Sequence, residues 1–321
     1  MSEFLRGSKG VVPLAMPESL RGPKGVAPLA AGYTAEPPAT WRAIRRLITV
    51  ALVLLVVATL LSGCTAVTER LSTPPQVGTP MRQVLLDATF DDGKLDPKIW
   101  NTCHWWADRG CTITTNDELE WYVPGQVSVA DGALRLTAER KPIQGSDGKS
   151  YEFRSGMVTT GPPPMREDEP AKLAFTYGRV EARLRVPAGR GLWPAVWLLP
   201  ASQESVPEID MLEVLGQDPS EVLMHLHPKD RRVAPPHKEY KVPGPSLAED
   251  WHTIRLDWSA GRLEFFVDGV RVWRVTGRHV PSEPMYVVMN LAVGGVYPGS
   301  PDSDTQFPAT FSIDYLRITA G

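Results

Sequence analysis

Three carboxylates, Glu208, Asp210 and Glu213, fall within six residues of a run whose other side chains are apolar. Side chains alternate between the two faces of a regular strand, so Glu208 and Asp210 share a face and Glu213 falls on the other. One extra residue around Met211 and Leu212, a β-bulge, would return Glu213 to the first face. Two glutamates on one face can bring their carboxyl groups to about 5–5.5 Å, where one attacks a sugar and the other protonates the leaving oxygen.

Three carboxylates this close cannot all ionise freely, so mutual repulsion predicts that one stays protonated near neutral pH. Asp210 lies between the two glutamates and is expected to hydrogen-bond Glu208 and tune its charge. The three titrations are coupled and do not belong to single residues. Taken alone, an acid-rich strand is equally typical of a solvated face, so the surrounding sequence has to decide between the two interpretations.

The Glu-x-Asp-x-x-Glu pattern resembles the active-site signature of the laminarinase-like branch of glycoside hydrolase family 16. Three other segments resemble the strand that precedes the catalytic one in this family and its closing strands: 191–200, 290–295 and 311–318. The resemblance spans about Val84 to Thr319. Four motifs in the order of the family favour the catalytic interpretation of the acids.

This resemblance implies a retaining endo-glycosidase that hydrolyses β-1,3- or mixed β-1,3/1,4-glucan without a cofactor. Glu208 would be the nucleophile that forms a glycosyl-enzyme, and Glu213 the general acid and then the general base. A transglycosylase or a galactan-active hydrolase stays open, because the insertions 161–170 and 228–245 are not interpretable from sequence. A non-catalytic carbohydrate-binding module is a further alternative, although it would have no need of all three acids.

The resemblance also implies a set of sugar-binding side chains: Trp193, Trp197, Arg154, Glu118, Gln126 and His227. Trp193 and Trp197 are four residues apart and share a strand face, although either could instead pack in the core. Arg154 could equally be a solvated surface residue. His227, expected on the leaving-group side, could be structural, and Gln126 stands where relatives carry a sugar-binding Asn.

Two features are expected to stabilise the fold. Many members of the family bind a structural calcium through an Asp of the last strand, here Asp314, and hard oxygen ligands suit this ion. Cys103 and Cys111 lie eight residues apart, and with an export signal upstream a local disulfide is the leading interpretation. A metal site at this pair is less favoured, because a second Cys/His pair at ligand spacing is missing.

Away from these motifs the chain alternates apolar and charged residues with a period of two. Val180, Ala182 and Leu184 alternate with charged side chains, and the stretches 134–139 and 254–258 follow the same pattern. Many short strands over residues 84–321 predict one antiparallel β-sandwich, an all-β fold. The resemblance specifies a jelly roll of the concanavalin A-like type, with a substrate cleft on its concave sheet.

The N-terminal region predicts export. Residues 1–63 begin with a Gly-, Pro- and Lys-rich repeat, which is expected to be disordered. A signal peptide with an apolar run at 47–61 follows it. That run would span about 22 Å as a helix, short of the roughly 30 Å hydrocarbon core of a bilayer. The sequence at 61–64 resembles the lipobox of bacterial lipoproteins, which implies lipidation of Cys64 on the outer face of the cell membrane. An uncleaved anchor is the alternative, and 64–83 is typical of a tether.

Charge indicates what the exported part would bind. Residues 1–63 carry a net charge of +4 within an overall −3, so the remainder carries −7. An acidic domain disfavours nucleic acid, because phosphate binding requires a basic surface. A neutral polysaccharide is the favoured partner, and we expect the protein to act as a monomer.

Overall fold

A computed structural model describes residues 83–106, 111–164, 166 and 169–321. The predicted signal peptide, the lipidation at Cys64 and the tether up to residue 82 lie outside the described residues. The first described strand begins at Val84. Two single 3-10 turns occur among the described residues, Thr114–Asn116 and Pro124–Gln126. No helix in these ranges is both long and apolar enough to cross a membrane.

The strands of the described residues, numbered β1 to β18 along the chain, form two large antiparallel sheets and two small pairs. The eight-stranded sheet contains β1 (Val84–Ala88), β3 (Val127–Ala130), β4 (Ala133–Ala138), β9 (Gly178–Arg185), β14 (His252–Ser259), β15 (Arg262–Val267), β16 (Val270–Thr276) and β18 (Ala309–Ala320). The six-stranded sheet contains β8 (Met157–Thr159), β10 (Leu192–Pro200), β11 (Glu208–Glu213), β12 (Glu221–His227), β13 (His237–Lys241) and β17 (Met285–Val293). The pairs are β2 (Glu120–Tyr122) with β7 (Phe153–Ser155), and β5 (Ile143–Gln144) with β6 (Ser150–Tyr151).

The order of the strands places the acid-bearing strand inside its sheet. The six-stranded sheet runs β13-β12-β11-β10-β17-β8, so β11 is hydrogen-bonded on both sides. The eight-stranded sheet runs β16-β15-β14-β9-β18-β4-β3, and β1 also pairs with β18. This arrangement confirms the predicted all-β antiparallel sandwich.

One hydrophobic core lies between the two sheets and follows from the period-two alternation. Leu134, Val180 and Leu256 of the eight-stranded sheet and Leu198 and Ile209 of the six-stranded sheet belong to it and are fully or almost fully buried. Because alternate residues point the opposite way, the six-stranded sheet presents a second face turned away from this core. We call it the site face, because the three carboxylates lie on it.

Candidate active site

The strand β11 carries the predicted bulge. Along β10, Val196 lies opposite Leu212 while its neighbour Trp197 lies opposite Asp210, which leaves Met211 without a cross-strand partner. The register against β12 shifts over the same stretch, where three steps on β11 correspond to two on β12. Met211 and Leu212 are both fully buried in the core. The prediction of one extra residue at this point is therefore confirmed.

The bulge gathers all three acids on the site face. His225 and His227 are alternate residues of β12 and share that face. The His227 Nε2 atom lies 3.2 Å from Asp210 Oδ2 and 3.8 Å from Glu208 Oε1. The His225 Nδ1 atom lies 2.6 Å from Glu213 Oε2. A strand of regular alternation would have turned Glu213 into the core.

Burial and mutual charge perturb the titration of this cluster. Burial, followed by the neighbouring Asp210, raises the pKa of Glu208 well above its ordinary value. Burial alone would lower the pKa of His227, but the hydrogen bond to Asp210 and the negative charge of Glu208 outweigh it and raise the pKa to about 10. The charges of Glu208 and His227 therefore act on each other: the histidine lowers the pKa of the glutamate, and the glutamate raises that of the histidine.

These shifts predict that the protein loses stability as the pH rises. A group whose pKa is higher in the folded than in the unfolded chain adds stability below its unfolded value and loses it with rising pH. The stabilising contribution of His227 is complete below about pH 6.5 and is lost between about pH 6.5 and about pH 10. The free energy of unfolding falls by at most about 1.4 kcal/mol per pH unit over this range. The free energy of unfolding in denaturant, measured from pH 6 to 10, should fall more steeply in wild type than in His227→Gln. Parallel curves would contradict this assignment.

Both oxygens of the Glu213 carboxyl group are held by neighbouring side chains. The Trp193 indole donates a hydrogen bond of 3.0 Å from Nε1 to Oε1, and His225 contacts Oε2. Trp193 packs edge-on against Tyr297, with ring centroids 5.4 Å apart. The carboxyl group is therefore fixed in orientation before any sugar binds. Sequence reasoning identified Trp193 but missed Tyr297, which follows the motif at 290–295 by only two residues.

Replacing Trp193 with Phe should isolate the hydrogen bond to Glu213. The variant keeps an aromatic ring but loses the Nε1 donor, and one such bond is worth about 1–1.5 kcal/mol. We expect kcat for polysaccharide hydrolysis to fall about tenfold, with KM changed less. A Trp273→Phe control on β16, in the opposite sheet, should keep wild-type kcat. Equal kcat values in all three proteins would show that the hydrogen bond does not act on the reaction.

Trp197 shares the site face with Trp193 but is almost fully buried. Its Nε1 atom donates to Asn290 Oδ1 at 2.7 Å, and Asn290 in turn donates to the Tyr122 hydroxyl at 3.0 Å. The ring belongs to a second hydrophobic cluster, which also contains Tyr122 and Tyr286. Trp197 thus follows the packing alternative: it lies on the site face, buried in this second cluster.

Glu118 is placed differently from its expected sugar-binding role. It is buried next to Glu120, and it accepts hydrogen bonds from the Asn116 side chain (2.8 Å) and the Ile113 backbone (3.3 Å). Burial and the charge of Glu120 raise the pKa of Glu118 well above its ordinary value. The Glu118 carboxyl group is thus buried and hydrogen-bonded within its own segment, and its sugar-binding role stays a prediction.

Gln126 and Arg154 also direct their donors to the protein itself. The Gln126 side-chain amide donates to the Thr137 carbonyl of β4 at 3.0 Å, so it is tied to the eight-stranded sheet. Arg154 donates from Nη2 to the Pro142 carbonyl at 3.2 Å. Both of these hydrogen bonds run to backbone carbonyls, and the buried Nε atom of Arg154 has no hydrogen-bond partner among the described residues. Their sugar-binding role stays a prediction.

The residues around Asp314 do not fit the expected calcium ion. Arg183 donates from Nη1 to Asp314 Oδ2 at 2.8 Å, so the carboxylate already has a cationic partner.

Acids and histidines also cluster on the site face, in residue types that a metal could use. There His225 and His227 contact carboxylates, whose hydrogen bonds and charges outweigh burial and raise the pKa of both rings. We assign that cluster to acid–base chemistry.

The two cysteines of the domain form the predicted disulfide. The Cα atoms of Cys103 and Cys111 lie 5.6 Å apart, within the usual range for a bridge. Cys111 belongs to the same hydrophobic cluster as Trp105, Trp106 and Trp197. The bridge therefore ties Cys103 to the aromatic cluster that contains Trp197 of the site face.

The sequence model of the glycosyl hydrolases family 16 matches residues 117–317, a range that includes the bulged strand and both of its neighbours. The endo-1,3-1,4-beta-glycanase EglC of Rhizobium meliloti is 31% identical over 234 residues, which are 68% of this chain and 47% of that protein. The chain thus spans about half the length of this relative. The beta-glucanase of Rhodothermus marinus is 29% identical over 263 residues, covering 74% of this chain and 85% of the relative.

Solved structures agree with this match. The laminarinase catalytic domain of Thermotoga maritima superposes with a TM-score of 0.67 at 31% identity, and the match covers 75% of this chain and 98% of that domain. Because the family model covers more than half of the sequence, the chain belongs to family 16 of the glycosyl hydrolases.

Proposed function

We propose that the protein is a retaining endo-glycosidase that hydrolyses β-1,3- or mixed β-1,3/1,4-glucan. The observation that carries this proposal is the bulge, which brings Glu208 and Glu213 to one face with Asp210 between them. Two carboxyl groups on one face are what double displacement at a sugar requires. The similarity to a beta-glucanase and to a laminarinase supports the choice of glucan.

In the first step Glu208 attacks the anomeric carbon and forms a glycosyl ester. At the same time Glu213 gives its proton to the glycosidic oxygen, and the bond between this oxygen and the anomeric carbon breaks. Glu208 attacks as a carboxylate, against the burial and the neighbouring Asp210 that raise its pKa. The protonated His227, 3.2 Å from Asp210, offsets the remaining negative charge.

In the second step the Glu213 carboxylate takes a proton from water, and the resulting hydroxide attacks the anomeric carbon. The ester bond breaks and Glu208 leaves as a carboxylate. Two displacements on opposite sides restore the original anomeric configuration. Glu213 gives one proton to the leaving alcohol and recovers one from water, so the reaction calls for no cofactor.

One experiment separates the proposed function from its alternatives. The full-length protein is incubated with laminarin, mixed-linkage glucan and a β-galactan, and reducing ends are followed with the anomer of the first product read by NMR. Release of β-anomeric products from either glucan is expected, and Glu208→Gln should release none. Cleavage of galactan alone, longer products without net hydrolysis, or binding without cleavage would each overturn the proposal.

We also propose that the protein is exported and held on the outer face of the cell membrane, as a monomer, by lipid at Cys64. This proposal is supported by the arginines before the apolar run 47–61 and by the small residues that precede Cys64. Two or more acyl chains are needed for stable anchoring. Radiolabelled fatty acid should enter the wild-type protein and not Cys64→Ala, and equal labelling of both would contradict the anchor.

A further inference from the structure

We infer that His225 is a positioning residue for the proposed acid/base: its imidazole hydrogen-bonds the Glu213 carboxyl group, and the two groups exchange one proton. The inference rests on the proposed function and goes beyond it by naming the group that controls the protonation of Glu213. His225 is not among the residues that the sequence singled out for chemistry.

The contact itself requires a shared proton. His225 Nδ1 and Glu213 Oε2 are 2.6 Å apart, and both residues are more than nine-tenths buried. A nitrogen and an oxygen that both present lone pairs repel at this distance, so a hydrogen atom must lie between them. The other oxygen of Glu213 accepts from Trp193, whose indole can only donate. The His225 side of the carboxyl group is therefore the one where the proton is exchanged.

The backbone creates this pair through the bulge. His225 lies directly opposite Asp210, whereas Glu213 lies opposite Leu223, two residues earlier on β12. The extra residue turns the Glu213 side chain onto the site face, from which it reaches diagonally to the imidazole. On a regular strand His225 would face Asp210 alone. The same local feature that gathers the three acids therefore also supplies Glu213 with its partner.

The charged groups around His225 favour a proton on the pair. Glu213 and Asp210 face it from β11, His227 from its own strand, His237 from β13, and Tyr297 lies across the Trp193 ring. Burial and the neighbouring His227 lower the pKa of His225. The hydrogen bond and the charge of Glu213, together with the charge of Asp210, outweigh both and raise this pKa. These contacts favour the protonated form of the His225 ring beside Glu213.

Over the two steps of the cycle, Glu213 and His225 together give one proton and take one back. In the first step the O–H bond of Glu213 breaks and its proton goes to the glycosidic oxygen: an O–H bond forms on the leaving alcohol, and the Glu213 carboxylate then accepts the Nδ1–H of neutral His225. In the second step the pair takes one proton from the attacking water and returns to its starting state. A carboxyl group without the imidazole would lose its proton at lower pH, because reference pKa values for Glu and His differ by about two units.

The variant His225→Gln tests the pairing directly. Glutamine can still donate a hydrogen bond to Glu213, but it cannot titrate. For the full-length protein acting on laminarin, the alkaline limb of kcat/KM should move to lower pH by about one unit or more. The matched control His237→Gln removes the histidine on the other side of the ring and should keep the wild-type limb. A limb that stays in place in His225→Gln would overturn the inference.

A second measurement keeps the inference testable if that variant does not fold. NMR titration of the histidine rings in the full-length protein should show the His225 midpoint falling by at least about one unit in Glu213→Gln. An unchanged midpoint would overturn the pairing. Failure of the proposed function is distinguishable, because the titration does not depend on turnover and can be measured in protein that cleaves no glucan.

Discussion

Replacing Glu208 with Ala should lower kcat for glucan hydrolysis by roughly four orders of magnitude or more, because no other group can form the covalent intermediate. Asp210 cannot substitute for it: its side chain is shorter and is held against His227. The loss should appear in kcat, since sugar binding by the aromatic side chains persists. The measurement is the initial rate of reducing-end release under saturating glucan.

Added azide distinguishes a lost nucleophile from a general loss of structure. The anion fits the space vacated by Glu208 and attacks the anomeric carbon from the same side, which should yield an α-glycosyl azide from an activated β-glycoside. The matched control is Glu221→Gln, a glutamate on the same face of β12 that pairs with Lys241 at 3.5 Å. It should keep wild-type activity within about twofold. More than about one percent of wild-type kcat in Glu208→Ala, without azide, would remove Glu208 from the nucleophile role.

Replacing Glu213 with Ala should produce a loss that depends on the leaving group. Hydrolysis of glucan needs a proton on a poor leaving oxygen and should fall by about 10²–10⁴-fold in kcat/KM. An aryl β-laminarioligosaccharide with a dinitrophenyl leaving group needs no such proton, so glycosylation should proceed close to the wild-type rate. The glycosyl-enzyme then accumulates, because no base activates water. A burst of dinitrophenol followed by slow turnover is the expected trace.

Azide also tests the acid/base role of Glu213, and the expected glycosyl azide has the opposite anomeric configuration. In Glu213→Ala the anion attacks the glycosyl-enzyme formed on Glu208, and the product should be a β-glycosyl azide. Equal losses on glucan and on the dinitrophenyl substrate would contradict a general acid at this position. So would an α-azide product, since it would mean that Glu213 and not Glu208 bonds to the sugar.

The sequence contained enough information for the fold and for the three acids. Apolar residues at alternate positions of β9, such as Val180 and Ala182, can be buried on only one side, which requires a two-layer sandwich. The bulge was predictable for a related reason. Met211 and Leu212 are adjacent apolar residues that break the alternation, and a regular strand would have placed Glu213 in the core.

The positions of the other predicted ligands depended on contacts that no local pattern encodes. Glu118 resembles an acid on a cleft segment, but in the fold it lies against Glu120 and within its own loop. The Gln126 side-chain amide donates a hydrogen bond to the Thr137 carbonyl, an acceptor eleven residues along the chain. His225 and His227 are alternate residues of β12 and share a face. Which carboxylate each would meet followed from the register around the bulge, and that register is a tertiary property.

The extra residue in β11 also constrains which mutations the protein could accept during evolution. Loss of Met211 or Leu212 would point Glu213 inward, where an unpaired carboxylate costs about 3–5 kcal/mol. A one-residue deletion would thus endanger folding as a whole, whereas a point substitution of Glu213 would leave the sandwich intact. Lineages that keep this scaffold as lectins should therefore have lost the acid by substitution, on a strand of unchanged length.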